Sequence, residues 1–573
     1  MLRFTALTAV LVSLALLITG CNATRNGNGE PLPPTAFQRL QTVQEYFLPM
    51  NYYTHIGTDN GLMGPGEEQL VWEPGRVIAG TADRPLRNWA GMWHSLAGLA
   101  REEHFSLDFT AVYPEWIRAH YQPRVIGVDA RVRGTGRLKV EVKSSDDSVL
   151  WERQIRLNAP DEFEEHRFEI DPERAREAKF LNWVAEPGAA FTVDSIGLVL
   201  DFPDIPIHER MFLVSYAKLS RTYSPERGIV KDRANFPAGD FDNIPTTGLF
   251  CLATAAAYDM GLVDRQFAED TLVHVHQAVS AIPRALGLLP HFVTGQAITP
   301  GTEYSTVDTA IYYHAMLVAA QMLGRDDVTS ELLEAIEEID FERLRDDEGW
   351  IVHGVEDDGQ TLMPHVWRDW GGETALVLLL AKMAGSPAES LMMEPSGVVF
   401  RGVGFIPEIQ SLFYPQFSRD VDDALTGINW YQVRRDLLQD QMGAAIKDGV
   451  YGLSAGESAC WEDYVVNGTL EQEDPNLRHP HYMLLSGAIH PAPDDLYTVL
   501  GAMEDEGLFP PWGLVENVHE DCRYLPMLGS LNASFETIGA YHLRAVSQGQ
   551  PNRIYEAAET SPPLVEAMRL FYP

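Results

Sequence analysis

The sequence predicts a multidomain protein, an N-terminal antiparallel β-sandwich of jelly-roll type followed by a large all-α domain. Helical hairpins of the second part, closed on themselves, would form an (α/α)6 barrel. Three observations lead there. The chain has 573 residues, too many for one ordinary domain. From about residue 69 to 204, apolar and polar residues alternate with period two. After Ile207 the period becomes helical and stays so.

The alternation is clearest in GRLKVEV at 136–142 and FTVDSIGLVL at 191–200, with Gly, Pro and Asp breaking the runs. That is the pattern of half-buried strands joined by turns, and the last run resembles the closing strand of carbohydrate-binding modules. In the helical part, Thr247 to Met260, Thr309 to Leu323 and Thr374 to Ala384 are apolar nearly all the way round. Such helices are buried on most faces inside a large helical assembly. Loops combining Gly with aliphatic or aromatic residues, at 286–292, 349–351, 449–452 and 507–509, separate the helical stretches.

The N-terminus reads as an export signal. Arg3 precedes an apolar run from Leu7 to Ile18, and Thr19-Gly20-Cys21 follows. A Cys after Leu17-Ile18-Thr19-Gly20 is a lipobox, so Cys21 is the expected site of acylation and the lipid bilayer an expected partner. Asn22, rather than Asp, follows the cysteine, which points to the outer membrane. The expected division is 1–21 signal peptide, 22–36 linker, 37–68 helical or irregular segment, 69–205 sandwich and 206–573 all-α domain. The linker is polar and rich in Gly and Pro, as a tether should be.

A net charge of −39, from 82 acidic and 43 basic side chains, repels phosphate backbones and excludes nucleic acid as a partner. Cys251, Cys460 and Cys522 are odd in number and lack zinc or redox spacing. His274, His276, His479 and His481 stand in H-x-H pairs without a completing ligand, so no metal is expected. No P-loop, dinucleotide fingerprint or G-x-S-x-G is present, and no cofactor is expected. The chain is expected to be a monomer.

Three clusters could carry chemistry. Asp232, Arg233, Asp240 and Asp242 lie in the approach to the apolar helix that begins near Thr246. Glu303, Tyr304 and Asp308 stand at the start of another buried helix, and Trp367, Trp370 and Glu373 at the start of a third. Glycoside cleavage needs two carboxylates flanking the scissile bond, one protonated and one ionised. Aromatic faces stack on sugar rings. Each cluster also fits a purely structural role, since acids and Ser or Thr favour helix N-termini and a Trp pair packs well.

The motifs share an order along the chain from about Arg221 onward. GIVKDR at 228–233, TTG at 246–248, STVDTA at 305–310, ETAL at 373–376 and GSP at 385–387 come first. FYPQFS at 413–418, YGLSA at 451–455, WGLVEN at 512–517 and LNASF at 531–535 complete it. In that order the chain resembles the glycoamylase-like domain of glycoside hydrolase family 144, the endo-β-1,2-glucanases, and its relatives. The resemblance implies an (α/α)6 barrel and inverting hydrolysis of a neutral β-glucan. It places the general acid at Asp308, where the family often has Glu, and the base at Asp242 or Asp232. Glu303, Arg233, Asp240, Tyr304, Trp367, Trp370, Glu373 and Trp461 are the expected sugar-binding residues. The loop from Ser454 to Trp461 and the stretch from His479 to Gly487 depart from the family pattern, and this bears on substrate identity. Two other readings remain: a glycan-binding lipoprotein without chemistry, and a polysaccharide lyase, which the acidic clusters disfavour.

Overall fold

A computed structural model describes residues 43–49, 60–73, 76–95, 124–144, 146–171, 174, 180–201, 207–220, 222–235, 241–295, 297–367, 371–386, 400–444, 452–457, 464–488, 514, 516–519, 523–524 and 527–573. Cys21, Asp240, Trp370, Trp461, Cys460 and Cys522 lie outside these residues.

The N-terminal part is a nine-stranded, curled antiparallel sheet. Its strands are β1 (Val43–Pro49), β2 (Asn60–Met63), β3 (Leu70–Glu73), β4 (Arg76–Ala79), β5 (Ala90–Ser95), β6 (Arg124–Lys143), β7 (Val149–Glu169), β8 (Phe180–Ala185) and β9 (Ala190–Asp201). They pair in the order β2-β5-β8-β6-β9-β4-β3, with β1 added to β9 and β7 to β6. The period-two expectation is met along β6, where Val128, Ala130, Val132, Leu138, Val140 and Val142 are all buried.

Where two hydrogen-bonded sheets were expected, the described strands form one, because β6 exchanges partners along its length. Its first part pairs with β9, up to Thr135, and its last part with β8, from Leu138. The exchange falls between these two stretches, at Gly136, which has φ 124°. A Cβ there would lie 2.6 Å from the Ala189 Cα, so only glycine lets the chain approach this closely while β6 bends. The segment expected to be helical or irregular contains β1 and β2 instead. Its VQEYFL run lacks clean alternation, and strand structure comes from pairing with β9, from Val43 opposite Asp201 to Pro49 opposite Ser195.

The rest of the chain is dominated by helices: α1 (Ile207–Ser220), α2 (Ile244–Asp259), α3 (Arg265–Ser280), α4 (Thr306–Leu323), α5 (Asp326–Glu337) and α6 (Gly372–Met383). Then come α7 (Trp430–Ala444), the short α8 (His481–Leu485), α9 (Ser530–Gln548), α10 (Arg553–Thr560) and α11 (Pro562–Met568). None of the described helices is long and apolar enough to cross a membrane.

Two kinds of helix are distinguished by burial. Helices α2, α4 and α6 are buried nearly all round, as their composition predicts, whereas α3, α5 and α10 bury one face. The buried set packs together: α2 on α4, α4 on α6, and α9 on both α1 and α2. The TTG motif has a packing reason. A Cβ at Gly248 would come within 2.9 Å of the Tyr312 backbone, so α2 and α4 need glycine at their crossing. Cys251 is a buried free thiol on α2.

The helical part also buries charge. Lys218 of α1 lies 2.7 Å from Glu536 of α9 and 3.7 Å from Glu516, and it donates to the Leu514 carbonyl. Glu516 in turn accepts from the Gly529 backbone N–H and the Asn532 side chain at the start of α9. All three charged side chains are shut off from solvent. Removing one member of a buried ion cluster strands the others in a medium that cannot solvate them. Lys218→Met is therefore expected to cost about 3–5 kcal/mol, read as a lowered urea midpoint of the helical part by far-ultraviolet circular dichroism.

Candidate active site

Short backbone ladders lace the starts of α2 and α4 together. Asp242-Asn243 pairs with Phe292-Val293, and Tyr304-Ser305 pairs with Gly354-Val355. The Ile244 N–H donates to the His291 carbonyl at 3.2 Å, and the His291 N–H donates to the Glu303 carbonyl at 3.0 Å. Side-chain caps then start the helices. Asn243 Oδ1 accepts from the Thr246 N–H, and Ser305 Oγ accepts from the Asp308 N–H. Asp232 belongs to the same assembly through its carbonyl, which accepts from the Ser530 N–H at the start of α9. Three buried helices thus begin at one place, each bringing a carboxylate or supporting one.

The carboxylates converge on His291. Its Nδ1 lies 3.0 Å from Glu303 Oε1 and 3.6 Å from Asp308 Oδ2. An ionised carboxylate can only accept, so Nδ1 carries a proton and donates it to Glu303. Burial pulls the imidazole pKa down, but Asp308, Glu303 and Asp232 outweigh it and hold the value at about 9. The bond from His291 keeps Glu303 below the usual glutamate range. Asp308 goes the other way: burial raises it, against smaller opposing effects of His291 and the Ser305 bond. Burial also raises Asp232, partly offset by a hydrogen bond from Asn243 Nδ2 at 2.9 Å and by the Arg233 and His291 charges. Glu373, in the first turn of α6, is pushed up to about 7 by burial and by the nearby Asp308 charge. The donor atoms of His291, Glu303 and Asp308 lie within 4.8 Å of one another.

The structure therefore brings together Asp232, Glu303, Asp308 and Glu373 of the sequence-predicted residues. Asp242 is placed differently. It is 2% exposed, and both its oxygens accept from the Arg227 guanidinium, with a further bond from the Gly295 N–H. A carboxylate held in that bidentate fork pins the loop before α2. Arg233 lies over the Phe241 ring at 5.5 Å and 3.8 Å from Asp232. Tyr304 is buried in the β-ladder before α4. The Trp367 indole N–H donates to Thr306 Oγ1 at 2.8 Å, and its ring stacks on His353 at 4.0 Å.

Sequence reasoning missed His291 and Asn243. His291 lies in the LGLLPHF loop, whose only local signal is a turn, and its partners come from a later segment. Asn243 had a readable signal, since Asn before I-P-T-T is an N-cap with Pro at the second helical position. It both caps α2 and holds Asp232.

Two predictions come from this geometry. Asn243→Ala removes a cap and the hydrogen bond that favours ionised Asp232. It should cost about 1 kcal/mol, measured by urea denaturation. The second concerns Glu373. A carboxyl raised from the ordinary 4.5 to about 7 contributes stability that is fully present below 4.5 and is lost as pH rises through 7. Glu373→Gln should therefore match the parent chain in thermal midpoint at pH 4 and exceed it by a few degrees at pH 8.

No protein-family model and no curated protein sequence matches the chain. Solved structures do share its fold. A β-1,2-glucanase from Parabacteroides distasonis aligns over 92% of this chain and 97% of its own, with TM-score 0.55 and 10% identity. An endo-β-1,2-glucanase from Chitinophaga pinensis, solved with sophorotriose and glucose, aligns over 63% of this chain and 97% of its own, with TM-score 0.52 and 12% identity. A glucoamylase candidate from Bacteroides caccae aligns over 63% and 98%, with TM-score 0.53 and 15% identity. The structural neighbours are thus of the group that the motif order resembles, and the likeness is one of fold.

Proposed function

We propose that this chain is an exported, lipid-anchored glycoside hydrolase that cleaves a neutral β-glucan, with β-1,2-glucan as the first candidate. The observation that carries the reading is the gathering of Asp232, Glu303 and Asp308 around one cationic histidine, with Glu373 beside Asp308, at the common start of buried helices. The fold shared with endo-β-1,2-glucanases supports the substrate class. An inner set of buried helices with one-sided helices outside supports the (α/α)6 arrangement for residues 206–573. Residues 69–205, together with the strands before them, would form a module resembling carbohydrate-binding sandwiches.

In this mechanism Asp308, whose pKa is raised by burial, donates its proton to the glycosidic oxygen as the anomeric C–O bond breaks. Water attacks the anomeric carbon from the opposite face, and Asp232 takes its proton directly or through a hydrogen-bonded relay. One water is consumed and one new reducing end forms, with inversion. Asp242 falls away as base, because Arg227 occupies both its oxygens. Ionised Glu303 accepts from sugar hydroxyls, and Glu373, Arg233, Tyr304 and Trp367 shape the surrounding subsites, with Asp240, Trp370 and Trp461 as further sugar contacts. The enzyme works as a monomer without cofactor, tethered to the outer membrane through acylated Cys21.

The test is release of reducing ends from a panel of purified glucans, β-1,2-linked first. Turnover should fall on the order of 10²- to 10⁴-fold in Asp308→Asn, with binding retained. Binding without turnover in both proteins would leave a glycan-binding protein, and an ultraviolet-absorbing unsaturated product would mean a lyase. Cys21→Ser should move the chain from the membrane fraction to the soluble one.

A further inference from the structure

His291 is the one cation whose side chain faces both Glu303 and Asp308 among the described ion pairs, and it is the residue that motif order did not find. Its backbone is fixed on both sides, by the bond to the Glu303 carbonyl and the bond from Ile244. Its ring lies nearly flat against Phe292, with centroids 3.7 Å apart. The imidazole therefore has little freedom to turn away. Three carboxylates act on it: Glu303 from the loop just before the Tyr304–Ser305 pairing, Asp308 from the first turn of α4, and Asp232 from the segment that abuts α9. Arg233 stands beside Asp232, and Glu373 beside Asp308.

Gathered carboxylates cannot all ionise without a counter-ion. The two distances show how His291 divides its effect. The Nδ1 proton is within hydrogen-bond reach of Glu303 at 3.0 Å and beyond it for Asp308 at 3.6 Å. Glu303 therefore receives a charge-assisted hydrogen bond, while Asp308 feels only the charge. Both acids stand at the start of the same helix, and the histidine makes them unequal.

We propose that His291 is a positioning residue of this site, a fixed imidazolium that ionises Glu303 by direct hydrogen bonding and so leaves Asp308 as the carboxyl that carries the transferable proton. The inference rests on the hydrolase reading above. It adds that the choice of acid, and the ionisation of Asp232 as base, depend on a group that touches neither bond being made nor bond being broken. Loss of the His291 proton at high pH removes the counter-ion, so the cluster loses its division of roles there.

The experiment is the pH dependence of kcat/KM on the best glucan for the parent chain and for His291→Gln, which keeps an amide donor but no charge. Without the cation, both remaining carboxyl pKa values rise, so both limbs of the bell should move toward higher pH by about one unit. A lowered bell with unmoved limbs would show a merely structural histidine, and an unchanged profile would show no role; either overturns the proposal. A second arm needs no activity and covers failure of the variant to fold. In the full chain with 13C-labelled histidine ring carbons, the His291 signal should titrate well above the ordinary histidine range, and Glu303→Gln should lower its midpoint. An ordinary midpoint, or one unmoved by Glu303→Gln, sinks the inference. If no glucan is cleaved while the His291 midpoint is raised, the hydrolase reading fails and the ion cluster stands.

Discussion

The attraction between the His291 imidazolium and the carboxylates around it is the interaction on which the site depends. Burial alone disfavours the ionised form of every acid there. One half-buried cation sets the acids apart, with Glu303 held below its ordinary range and Asp308 raised above its own. Glu303, which stays ionised, supports the cation with both a hydrogen bond and a charge.

That mutual dependence needs close and lasting geometry, and the fold supplies it through the starts of buried helices. Caps at Asn243 and Ser305 fix where α2 and α4 begin, and the intervening strand pairs fix their separation. Helices packed on all sides cannot slide, since Gly248 meets the Tyr312 backbone at the α2–α4 crossing. Behind Asp232, the Lys218–Glu516–Glu536 cluster secures the start of α9, whose first N–H holds the Asp232 carbonyl. The carboxylate cluster is thus backed by a second, fully buried ion cluster.

Arg227 and Asp242 show why proximity in sequence is a poor guide to role. Asp232 and Asp242 lie in one acidic stretch, and residue type does not separate them. Tertiary contacts do: the guanidinium of Arg227 closes on Asp242, while Asp232 meets an amide and sits among charges of both signs. Bidentate pairing spends both oxygens of a carboxylate on structure.

The sequence alone determined the two-part architecture, because strand and helix periods of 2 and 3.6 leave their mark on every few residues. It also determined which helices are buried all round, and that Glu303, Asp308 and Glu373 stand at helix starts, since composition and capping are local properties. Tertiary structure decided the rest. One curled sheet arises where β6 changes partner at Gly136, an outcome of pairing between distant strands. Residues 43–49 became a strand because the β9 edge was there to receive them. The place of His291 was invisible for the same reason: its role comes from charges brought to it from other segments, and charge interactions depend on distance in space, which sequence spacing does not encode.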